Sequence, residues 1–209
     1  MKHWKAALAA SALLLALGLY SVGMPTLEER IQKMKPQLDK KLASRTVHID
    51  PAELENLIYN ANFGIHILDL RSEADFNLFH ILDAKRVTLD QFRDENWVRK
   101  LPGQTVFVLV SNGEKTAEQG YRILAASNVP NLYILDGGIN HWLEVFGPQR
   151  MMRKREACGP TECRLYRFDA AMGERQPESD PGMESISGRT YQKKVTPIGR
   201  TVKKAGGCG

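Results

Sequence analysis

Cysteine is scarce and confined to one end of the chain. Its only occurrences in 209 residues are Cys158, Cys163 and Cys208. The first 157 residues therefore offer no thiolate nucleophile and no disulfide. Aromatic residues make up 8% of the chain, and none interleaves with a basic run in the way that stacks bases, so no nucleic-acid partner is expected. No internal repeat occurs, which excludes a solenoid. There is one long apolar run, Ala6 to Val22, preceded by Lys2 and Lys5.

That run has the positive flank and apolar centre of a secretory signal or an uncleaved anchor. Ser21-Val22-Gly23 places small residues where a signal peptidase could cut. The stretch Ala6–Met24, at 19 residues, also approaches the roughly 20 needed to span a bilayer. Residues 1–24 are read as a signal peptide or membrane anchor. Export is expected, to a periplasmic or inner-membrane, periplasm-facing location in a bacterium. No Cys lies near the run, so it does not resemble a lipoprotein signal. The net charge of +5 sits at the other end. From Arg150 onward there are 13 Lys and Arg against 7 Asp and Glu, which leaves the remainder close to neutral.

With 43% hydrophobic and 25% charged residues, the chain can build a sizeable core. Thr26 with Glu29 forms a capping-box pattern at the head of a polar, helix-prone segment, and Pro36 is expected to kink or split it. Residues 25–44 are read as a spacer. Next, Asp50 caps a helix begun by Pro51, with Leu54, Leu57 and Ile58 on its apolar face. Strands are expected at Ile65–Leu70, Arg86–Thr88, Thr105–Val110 and Leu132–Leu135. Helices are expected at Ser72–Phe79, Leu89–Arg99, Ala117–Ala126 and Ile139–Phe146. Alternating strands and helices imply parallel pairing in an α/β sandwich. After Gly147-Pro148 the periodicity dissolves, and residues 149–209 are read as a largely flexible, basic, Cys-containing tail in which Leu165–Phe168 could dock.

Four short motifs fall in order. Asp69-x-Arg71 follows the first long strand, and His80-Ile81 precedes Asp83-Ala84. Ser111-Asn112-Gly113-Glu114-Lys115-Thr116 links the most apolar strand to a helix, and Asp136-Gly137-Gly138-Ile139 is followed by Trp142. Together they resemble the rhodanese-like domain family, over about half the chain. The resemblance implies a three-layer α/β/α sandwich on a mainly parallel sheet, at residues 45–148. Phe79 and Asp83 stand where the family has glycine. In active rhodaneses the loop resembles C-x-x-G-x-R-[ST], with a thiolate that accepts sulfane sulfur. Aligned on Gly113, Lys115 and Thr116, the nucleophile position falls on Val110, which has no lone pair to attack sulfur.

The resemblance thus implies a scaffold kept and a chemistry deleted: a non-catalytic binding or regulatory module, with no cofactor. Its ligand would be a protein partner, or a small anion held by the N–H groups of Ser111–Thr116 at the helix start. Lys115 keeps a cation there but not the bidentate fork of arginine. Asp69 and Arg71 read most simply as a folding ion pair, His80 as a turn residue, Gly137 and Gly138 as a tight turn with positive φ, and Trp142 as packing. Two alternatives use the tail. Cys158, Cys163 or Cys208 could carry persulfide sulfur to the loop, Cys208 from a flexible Gly-rich tip. The three thiols could bind a metal, although the C-x4-C spacing of Cys158 and Cys163 fits a disulfide better. A phosphatase reading needs the same missing cysteine.

Overall fold

The computed structural model describes residues 4, 8, 11–12, 25–147, 152–153, 162–167, 178–179 and 189–196. The apolar N-terminal run lies almost wholly outside them, as do Cys158 and Cys208. Among the described residues no helix is long and apolar enough to cross a membrane.

A five-stranded, fully parallel sheet organises the chain. Its strands are β1 (His48–Ile49), β2 (Gly64–Asp69), β4 (Lys85–Arg86), β5 (Thr105–Val110) and β6 (Leu132–Leu135), in the order β1-β6-β5-β2-β4. The central strand β5 is buried along its whole length, as a parallel strand covered on both faces must be. Its side chains alternate between two cores. Val106, Val108 and Val110 join one cluster with Leu54 and Leu57 of α2 (Pro51–Asn60) and Ile139, Trp142 and Leu143 of α7 (Gly138–Phe146). Phe107 and Leu109 join the other, with Leu38 and Leu42 of α1 (Leu27–Ala43), Phe92 of α4 (Leu89–Arg93) and Tyr121 and Leu124 of α6 (Lys115–Ala126). Helices on both faces make the expected three-layer sandwich.

Three expectations change. The segment read as a spacer is one continuous helix, α1, running through Pro36 with its capping box formed at Thr26 and Glu29. It docks on the domain: Leu38 and Leu42 are buried, and Asp39 pairs with Arg122 of α6 at 3.0 Å. The helix expected at Leu89–Arg99 breaks into α4 and α5 (Glu95–Val98), because Asp94 turns extended and its carboxylate caps Asn96 N–H at 2.9 Å. The tail is not wholly free. Leu165 and Tyr166 pack against the first core cluster and Val195 is buried in it. Glu53 accepts hydrogen bonds from the N–H groups of Lys194 and Val195, both at 2.7 Å.

A short α3 (Glu73–Leu78), capped by Ser72, leads into β3 (His80–Ile81). Three further two-residue strands lie in the tail: β7 (Met152–Arg153), β8 (Tyr166–Arg167) and β9 (Glu178–Ser179). β3 pairs with β9 in parallel, and β7 with β8 antiparallel.

Candidate functional site

Strand β5 delivers the loop. Val110 ends it, registered beside Asp69 of β2, and is 1% exposed. Its side chain belongs to the same apolar cluster as Phe79, Ile81 and Tyr166. Hydrocarbon therefore stands at the end of the strand, where the loop begins. Asp69 and Arg71 form the buried ion pair expected of them. The carboxylate accepts from Arg71 Nε at 3.0 Å and Nη2 at 2.6 Å, and Nη2 also donates to Phe79 O at 2.6 Å. The pair ties the end of β2 to the end of α3. Phe79, in place of a glycine, is extended and buried. Asp83 adopts φ 59°, the left-handed conformation that a glycine would take most easily. His80 stacks on Phe76 at 4.1 Å, with Nδ1 at 3.0 Å from Phe76 O, a structural role.

Beyond Val110 the loop is held from beneath. The Ser111 hydroxyl donates to Gly113 O at 3.0 Å and accepts from Ala117 N–H at 3.3 Å, so it caps α6. The carbonyls of Ser111 and Asn112 accept from the N–H groups of Ile139 and Asn140, at 2.9 and 3.0 Å. This satisfies the otherwise unpaired first turn of α7. Gly137 and Gly138 sit at φ 65° and 61°. A side chain on Gly138 would overlap Ser111 O and Gly113 O, so the double glycine lets the closing turn touch the loop. Trp142 is fully buried below it.

The upper side of the loop is not open. Glu162 of the tail lays its carboxylate on the start of α6, where Oε1 accepts from Thr116 N–H at 2.8 Å. Asn112 Nδ2 donates to Glu162 O at 3.1 Å and to Asp75 Oδ2 at 3.2 Å. Arg164 Nη1 reaches Asp75 Oδ1 at 3.4 Å. Asn140 clamps the segment in both directions, donating to Cys163 O at 2.9 Å and accepting from Leu165 N–H at 2.9 Å. The anion-binding end of the helix is thus filled by an anion from the same chain. Cys163 is half-buried and free among the described residues, and Cys158, its candidate disulfide partner, lies outside them.

The remaining loop residues divide. Lys115 is exposed. Glu114 is turned to other partners. Its carboxylate takes hydrogen bonds from Arg45 Nη1 at 3.1 Å, Arg45 Nη2 at 2.6 Å and Gly137 N–H at 2.6 Å. Burial pushes this carboxyl up, but the bonds from Arg45 and Gly137 outweigh it and hold it at about 2. Arg45 bonds Asp136 as well, and the hydrogen bond to Glu114 raises its already high pKa. The sequence gives no warning of Glu162 and Asn140 as site residues, since Glu162 lies 46 residues from Thr116 and Asn140 lies 23 from Cys163.

A family model for the rhodanese-like domain matches residues 50–145, and the chain carries a rhodanese-like domain there. No curated protein matches the chain. Among solved structures, the rhodanese-like domain of an Anabaena sp. protein is 19% identical, spans 56% of this chain and 89% of its own, and gives a TM-score of 0.43. A rhodanese-related protein from Thermoplasma volcanium is 18% identical over 48% of this chain and 94% of its own, with a TM-score of 0.42. A rhodanese-like domain protein from Staphylococcus aureus is 19% identical over 46% and 89%, with a TM-score of 0.40.

Proposed function

We propose that this domain is a non-catalytic rhodanese-like module, exported or membrane-anchored, that binds an extended acidic segment at its former sulfur-transfer loop. The observation that carries the reading is the Glu162 carboxylate on Thr116 N–H, 2.8 Å away, above a valine at the nucleophile position. The loop supplies one helix-start N–H for a carboxylate and the Asn112 amide for a main-chain carbonyl, and Asn140 of α7 adds its amide for a strand-like pair of contacts. That set fits a peptide better than a small inorganic anion, which needs several converging N–H groups. A partner protein presenting a like segment would compete with the chain's own tail. The export assignment rests on the charged and apolar N-terminal sequence alone. The test is a thiosulfate:cyanide sulfurtransfer assay on the full chain beside an active rhodanese. The reading expects background rates, and turnover comparable to the control would overturn it.

A second reading has one observation in its favour. Cys163 is a free thiol one residue from Glu162, and its carbonyl is fixed by Asn140. As a persulfide carrier it would attack the outer sulfur of thiosulfate, take up that sulfur and release sulfite. Sulfur loading that vanishes in C163S would favour it over the binding module.

A further inference from the structure

Near the start of α6, three ligand groups, one from β1 and two from the helix, face one another. His48 lies in β1 and is 0% exposed. Among the described residues, neither of its ring nitrogens has a hydrogen-bond partner. Leaving an imidazole buried and unpaired is costly, on the order of 1–3 kcal/mol, and it calls for an explanation. The ring points at two carboxylates. Nε2 lies 3.9 Å from Glu114 Oε2 and 4.0 Å from Glu118 Oε1. Glu114 at the start of α6 and Glu118 one turn on share a helix face by their spacing of four. All three ligand atoms fall within 4.8 Å of one another.

We propose that His48, Glu114 and Glu118 form a site for a divalent transition cation such as zinc. One imidazole nitrogen and two carboxylate oxygens are a common donor set for such ions, with the fourth position left to water. Bonds of 2.0–2.2 Å would put tetrahedral ligand atoms roughly 3.4 Å apart. The two His–carboxylate gaps therefore close by about half an ångström each, on the scale of small side-chain rotations. Both glutamate side chains are partly exposed, at 20% and 30%, so they can move and the ion can enter from their side. Each carboxylate is already anchored by an arginine. Arg45 Nη2 and Gly137 N–H hold Glu114 Oε1, and Arg122 Nη1 lies 3.5 Å from Glu118 Oε2. The oxygens that face His48 are the opposite ones. The bond that must yield is the longer one from Arg45 Nη1 to Glu114 Oε2, at 3.1 Å. Such anchoring is how metal-binding carboxylates are commonly oriented. A bound ion would clamp β1 to the start of α6.

The test is calorimetric titration of zinc into the full chain with Cys158, Cys163 and Cys208 all changed to serine, so that no thiol competes. The site predicts saturable binding of one equivalent, abolished in H48N and weakened at least fivefold in E118Q. Glu118 is half-exposed, so E118Q decides the question should H48N fail to fold. No saturable one-equivalent binding in the parent, or a loss of less than fivefold in E118Q, would overturn the site.

Discussion

Removing the Glu162 carboxylate should unlatch the start of α6 at one measurable amide. In E162A the Thr116 N–H, the second residue of the helix, loses its acceptor at 2.8 Å and returns to water. Hydrogen bonds to charged groups contribute about 1.5–3 kcal/mol. Glu162 is half-buried, so screening favours the lower end, near 1.5 kcal/mol. Each 1.4 kcal/mol is about tenfold in an equilibrium, so Thr116 should exchange its amide proton about tenfold faster. The neighbouring Ala117 N–H is held instead by Ser111 Oγ at 3.3 Å and should change little. The Asn112 and Asn140 contacts go to main-chain atoms of the tail, which alanine retains, so the segment should stay tethered. E162Q keeps an acceptor without the charge and should fall between. The assay is amide hydrogen exchange resolved by NMR. A Thr116 rate in E162A within twofold of the parent would refute the idea that the tail carboxylate occupies the cradle.

Breaking the buried Asp69–Arg71 pair with D69N leaves a guanidinium uncompensated, and urea unfolding should show a loss of about 3–5 kcal/mol. In G138A the added methyl meets two loop carbonyls at a positive φ, so the same assay should show a loss of about 2 kcal/mol or more. Burial, with help from Lys85, lowers the pKa of His66, so the unfolded chain binds its proton more readily. Stability should therefore be full above the ordinary histidine value near 6.5 and fall as pH drops below it. Urea midpoints measured in EDTA from pH 7.5 to 5.5 should fall less steeply in H66Q than in the parent. His48 shifts in the same direction and supplies part of the remaining slope.

Much of the sandwich is legible because its signals are local. Val106, Val108 and Val110 alternate with Phe107 and Leu109, and a strand buried on both faces needs both sets apolar. Asp50 before Pro51 and Thr26 before Glu29 announce their helices through capping chemistry that acts over three residues. Long-range docking is less visible. Leu38 and Leu42 look like the sparse apolar residues of a solvated helix until Asp39 meets Arg122 across 83 residues. The site divides in the same way. Val110, Gly137 and Gly138 carry readable constraints of chemistry or φ. Glu162 and Asn140 acquire meaning only when the chain folds back, and His48 meets Glu114 and Glu118 only because β1 takes the sheet edge beside β6.

The account stands or falls on whether the chain takes up sulfur. The direct measurement is the intact mass of the reduced full chain after incubation with thiosulfate, beside an active rhodanese that gains one sulfur atom. The account predicts an unchanged mass, because Val110 offers no nucleophile and the loop is filled by Glu162. A gain of sulfur, mapped by peptide digestion to Cys163 or another tail cysteine, would contradict it and make the tail the carrier.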